Sequence, residues 1–198
     1  MFLRIISIAL MSMLSISCAS TSLVDSWQNE EVQLSYQKPM IIGISDSQQT
    51  RQLYEKHFVA SLEEEGIEAV PSYTLIDSKQ KINRETVVNA IKGTDIDAVL
   101  VTYRIADNAD FVHDVSLVNE THEGHDEQHH LSETIVSKRG YSQKSEIFML
   151  KTDMYSVNSK SLVWSAQTES VGPKSVDQVI IDVTDIIIDQ LQSDDMLK

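Results

Sequence analysis

Between residues 39 and 105 short apolar runs alternate with amphipathic stretches, and this order limits the fold more than any other feature of the chain. Met40 to Ile44 is an apolar run of the length of a buried strand. Ser45, Asp46 and Ser47 follow, and their short side-chain oxygens suit the start of a helix, where backbone amides lack partners. From Gln48 to Glu65 the side chains Tyr54, Phe58 and Leu62 recur every four residues, with Val59 beside them, so one helical face is buried. Gly66 is the stop signal. Ile67 to Tyr73 reads as a second strand whose Pro71 requires an edge or a strand end, because proline has no amide to give a sheet. Asn83 to Lys92 carries Val87, Val88 and Ile91 at helical spacing and stops at Gly93. Asp97 to Ile105 is rich in β-branched residues and reads as a third strand. Strand, helix, strand, helix, strand demands crossover connections and therefore a parallel or mixed sheet.

The second half is patterned differently. Ser145 to Val157 and Leu162 to Ser170 are extended runs separated by residues 158–161, a hairpin signal, with Trp164 placed to pack on the sheet. Ser175 and Gln178 have the spacing of a capping box. The helix they open buries Val176, Val179, Ile180, Val183, Ile186, Ile187 and Leu191, and it carries Asp177, Asp182, Asp185 and Asp189 on its other side. Interfacial membrane helices carry Lys and Arg there, so this one covers a sheet. The expected fold is α/β, a mixed sheet of about five strands with three helices in the order β-α-β-α-β-loop-β-β-α.

The beginning of the chain is of another kind. After Arg4, residues 5–16 form an uncharged apolar run of about 12 residues, where a membrane-crossing helix needs roughly 20. Residues 1–17 read as a secretory signal peptide. Cys18, the chain's single cysteine, can form no internal disulfide. The stretch LSISCAS resembles the lipobox of bacterial lipoproteins, with the small Ser17 before the cysteine, although Ser15 stands where leucine is commoner. The resemblance implies that Cys18 is lipidated and becomes the first mature residue. Several acyl chains such as palmitate on one cysteine anchor a protein stably, whereas a single chain holds it only marginally. Ala19, in place of an aspartate, then implies the outer membrane, with the domain facing the periplasm. Residues 18–38 read as lipidated cysteine and tether, and residues 39–198 as one domain. Trp27 is out of character for a solvated tether, and it either docks on the domain or meets a partner.

The segments PMIIGISDSQQTRQLYEKHFVASLEEEGIEAVPSYTLI, IDAVLVTYRI and LVWSAQTES, with the closing helix, resemble a group of small uncharacterised bacterial lipoproteins. In fold these are similar to the amino-terminal domain of TolB, the curli secretion lipoprotein and the lipoprotein activators of peptidoglycan synthases. The resemblance implies a non-enzymatic binding or assembly role in the cell envelope, a membrane held through the lipid anchor, and an envelope protein as partner. It supplies no catalytic residues and no cofactor. A formal charge of -14 excludes nucleic acid, whose phosphates are bound mainly by Lys and Arg.

Chemistry-bearing motifs are few. Gly43-Ile44-Ser45-Asp46-Ser47 stands where a hydrolase nucleophile elbow would, but Ser47 replaces the last glycine of that motif, so Ser45 reads as part of a helix start. The loop at about 106–140 holds His113, His122, His125, His129 and His130 interleaved with acids. Imidazoles and carboxylates together suit zinc, copper or nickel, which makes periplasmic metal capture or sensing the alternative function. These imidazoles would also gain charge near pH 6, a route by which acidification could modulate a partner contact.

Overall fold

The computed structural model describes residues 21–31, 35–105 and 147–198. The signal peptide at 1–17, Cys18, and the loop at 106–140 with His113, His122, His125, His129 and His130 lie outside the described residues. The elements in chain order are β1 (Thr21–Gln28), β2 (Pro39–Gly43), α1 (Gln48–Glu64), β3 (Val70–Pro71), a 3-10 turn (Ser72–Thr74), α2 (Arg84–Ile91), β4 (Ala98–Arg104), β5 (Ile147–Ser156), β6 (Leu162–Val171) and α3 (Val176–Ser193). Among the described residues these make three helices and an open, mixed sheet of six strands, ordered β1-β6-β5-β4-β2-β3. The expected class holds, with one strand more than the sequence suggested.

That strand is β1. It lies in the stretch read as tether, and it runs antiparallel to β6 from Thr21 opposite Ser170 to Gln28 opposite Trp164, with a bulge at Val24. The chain therefore enters the sheet at its far edge before reaching the βαβ unit. β2 is parallel to both β3 and β4, while β4, β5 and β6 form an antiparallel meander. β3 is only two residues long and ends at Pro71 on the other edge, as the missing proline amide requires.

The helices divide between the two faces. α1 and α3 cover the first, where Ile41, Leu100, Leu150, Met154 and Trp164 meet Tyr54, Phe58 and Leu62 from α1 and Val183, Ile187 and Leu191 from α3. Trp164 is fully buried, and its indole N–H donates to the Asp194 carboxylate at 2.7 Å, so burial leaves no orphaned donor. α2 covers part of the second face, closing Met40, Ile42, Val99 and Val101 beneath Val87 and Ile91. Each such large apolar side chain contributes about 1.5–3 kcal/mol when fully buried.

Local signals account for the helix ends. The Ser47 side chain accepts from the Thr50 amide, and Gly66, at φ 81, follows the last turn of α1 in a conformation that suits glycine. Asn83 and Thr86 form a reciprocal capping box that the sequence reading did not anticipate. At α3 the expected box is half made. Ser175 accepts from the Gln178 amide, but the Gln178 side chain turns down the helix to Asp182.

Candidate interaction surface

The same topology that buries one sheet face leaves half of the other uncovered among the described residues. α2 lies over β2 and β4, and on the same face of β5, β6 and β1 the side chains range from buried, as at Asp153, Tyr155 and Ser165, to exposed, as at Asp25, Trp27, Ile147 and Val171. Strand register places these in rows. Trp27, Ser165 and Asp153 stand side by side, as do Asp25, Gln167 and Lys151, then Ser22, Glu169 and Met149, and last the pair Val171 and Ile147. Trp27 is 48 % exposed and Val24, in the bulge, 51 %. The aromatic ring that the sequence placed in a linker is thus fixed on a paired strand yet left about half exposed.

A polar cluster underlies this surface. The Asp153 carboxylate accepts from the Tyr103 hydroxyl at 2.8 Å and from the Ser165 hydroxyl at 2.7 Å, and Lys151 Nζ lies 3.4 Å from the same carboxylate. Asp153 is 1 % exposed and Tyr103 6 %. Burial raises the Tyr103 phenol far above its usual range, and the negative charge of Asp153 adds to that, so Tyr103 stays a neutral donor. A carboxylate held by three neighbours fixes the side chains in the row next to Trp27. Its arrangement provides a stiff base with mixed polar and apolar edges, which suits contact with a folded partner.

A second buried cluster has a different task. Glu55 Oε1 accepts from Arg51 Nε at 2.8 Å, the Ser72 hydroxyl at 2.6 Å and the Gly43 amide at 3.1 Å, while Oε2 accepts from the Tyr73 amide at 2.9 Å. Arg51 Nη2 also donates to the Ser72 hydroxyl at 2.7 Å. These bonds tie the end of β2, helix α1 and the 3-10 turn together. The carboxylate is directed wholly at protein groups, so the cluster acts as a structural clasp. A Cβ at Gly43 would stand 2.7 Å from Tyr54 Cδ1, so glycine there is what lets α1 lie this close to β2.

Ser45, the residue at the elbow-like motif, accepts a bond from the Ser47 amide at 3.2 Å, a turn contact that leads into the α1 cap. A cavity of about 10 Å³ lies between the first face, α1 and α3, lined by Tyr54, Thr102, Leu150, Val176, Val179, Ile180 and Val183. Its size is that of about one water molecule. Among the described residues no group of three or more His, Cys, Asp and Glu is placed to hold a metal ion. None of the described helices is long and apolar enough to cross a membrane.

No family model and no curated protein matches the chain. Solved structures do. The PelC dodecamer from Paraburkholderia phytofirmans is 11% identical, and the match covers 90% of this chain and 99% of that chain with a TM-score of 0.50. A point variant of the PelC dodecamer from the same organism is also 11% identical, covering 90% of this chain and 98% of that chain at a TM-score of 0.46. At this identity the first likeness concerns the fold alone, and it extends over nearly the whole of both chains.

Proposed function

We propose that this protein is a lipid-anchored component of the bacterial cell envelope that faces the periplasm and works by assembly with other copies of itself, without catalysing a reaction. The observation that carries the reading is Trp27, a large aromatic held on a paired strand beside Ser165 and 48 % exposed. Buried aromatic anchors dominate the energetics of protein contacts, and an exposed one on a fixed backbone forfeits little freedom when it is covered. The outer edge of β1 is a poorer contact, because the bulge at Val24 and the exposed Asp25 disrupt strand addition. A second copy is favoured as the partner because PelC, whose fold this chain shares, is a dodecamer.

The test is the association state of the lipidated full-length chain in detergent, followed by sedimentation over a range of concentrations. Self-association is expected, and Trp27→Ala should weaken it by about 2 kcal/mol or more, roughly 30-fold in the dissociation constant. A protein that stays monomeric throughout, or one whose association is indifferent to Trp27→Ala, would refute this reading.

A further inference from the structure

β1 begins at Thr21, three residues after Cys18. Thr21 is already fixed. It is 4 % exposed, its hydroxyl lies 2.9 Å from that of Ser170, and it donates to the Asp182 carboxylate at 3.1 Å. A residue spans at most about 3.3–3.6 Å of chain, so whatever conformation residues 18–20 adopt, the sheet starts within about 10 Å of Cys18. Neighbouring strands lie about 4.8 Å apart. The end of β6 is therefore beside the start of β1, and the start of β5 is one strand beyond it.

Two apolar side chains occupy that same end of the sheet. Val171 and Ile147 face each other across β6 and β5, and they are 43 % and 52 % exposed. The exposed Lys174 follows in the turn that leads to α3. At the opposite end of the sheet is the polar turn at 158–161, with Asn158, Ser159 and Lys160 exposed. Among the described residues the Thr21 end thus offers two exposed aliphatic side chains and a cation beside the start of β1, while the hairpin turn at the other end is polar and the exposed Trp27, at the far end of β1, is assigned to the self-association proposed above.

We infer that the Thr21 end of the sheet is a membrane-facing footprint, with Ile147 and Val171 resting in the lipid interface and the 158–161 turn directed away from it. This rests on the reading of Cys18 as the lipid attachment point. Lipid is the occupant because the link is too short to let this end move far from the bilayer.

The experiment uses the lipidated full-length chain in vesicles of phosphatidylethanolamine and phosphatidylglycerol. Val171→Cys, Ile147→Cys and Ser159→Cys are each labelled with an environment-sensitive fluorophore, the Cys18 thiol being consumed by the lipid. Flotation of the native chain beside Cys18→Ser tests the anchor itself. Spin-labelled lipid should quench the labels at 147 and 171, and their emission should be blue-shifted relative to the label at 159. If Cys18→Ser floats as well as the native chain, the anchoring reading falls and the inference falls with it. If only the native chain floats but the labels at 147 and 171 are no more quenched than the one at 159, the anchor stands and the footprint is overturned.

Discussion

Glu55 shows most plainly what a single residue does in this fold. Its carboxylate is fully buried and gathers four hydrogen bonds from Gly43, Arg51, Ser72 and Tyr73, so its desolvation is offset by donors fixed on three separate segments. Glu55→Ala would leave Arg51 buried with its charge unmatched, and a loss of about 3–5 kcal/mol in unfolding free energy is expected. Urea denaturation of the two proteins checks this, and a loss well under 1 kcal/mol would show that the clasp contributes little. The α1 stripe of Tyr54, Phe58, Val59 and Leu62 was legible from spacing alone, and all four are buried. Arg51 and Glu55 share that stripe and were missed, because an Arg and a Glu four residues apart are as common on a solvated helix face as in a buried pair. The signal available was their phase, which matches Tyr54, Phe58 and Leu62 and not the exposed side.

At the scale of elements, β1 was hidden by its own bulge. Leu23 and Ser26 point to the first face and Trp27 to the second, but Val24 inserts an extra residue, so the alternation that identifies a strand changes phase halfway along. The final helix was easier to read, since α3 buries Val179, Ile180, Val183, Ile187 and Leu191 as its periodicity implied, although Val176 and Ile186, expected on the same face, are only half-buried and Thr184 and Ile188 complete it instead. Its outer side carries a cost that the structure leaves unrelieved. Asp185 and Asp189 are like charges four residues apart, Asp189 lies toward the negative end of the helix dipole, and the last turn holds no basic residue. Asp189→Lys reverses both effects, and a gain of about 0.5–1 kcal/mol is expected, visible as a higher melting temperature that shrinks in high salt. An unchanged or lower melting temperature would mean that Asp189 is already neutralised by a contact outside this helix.

For the whole molecule, the mixed α/β architecture followed from capped helices between apolar runs, whereas its surface did not. Which side chains of the second face are exposed among the described residues depends on where α2 comes to lie over the sheet, and Trp27 reaches that face only through long-range pairing of β1 with β6. The same pairing places most of the stretch read as tether in the sheet, so that, with Cys18 lipidated as proposed, the distance between sheet and membrane would be set by the fold. A flexible Gly-Ser insert of about ten residues between Ser20 and Thr21 would extend that link by roughly 17 Å in root-mean-square terms. Because β1 would still pair with β6, the lengthened protein should keep its stability and should float as the native chain does. The label at Val171→Cys should lose most of its quenching by spin-labelled lipid, since two half-exposed apolar side chains hold a domain to a bilayer only weakly once the covalent restraint is relaxed. Retained quenching in the lengthened protein would instead mean that this end of the sheet binds lipid by its own affinity, and that the short link follows from that contact rather than enforcing it.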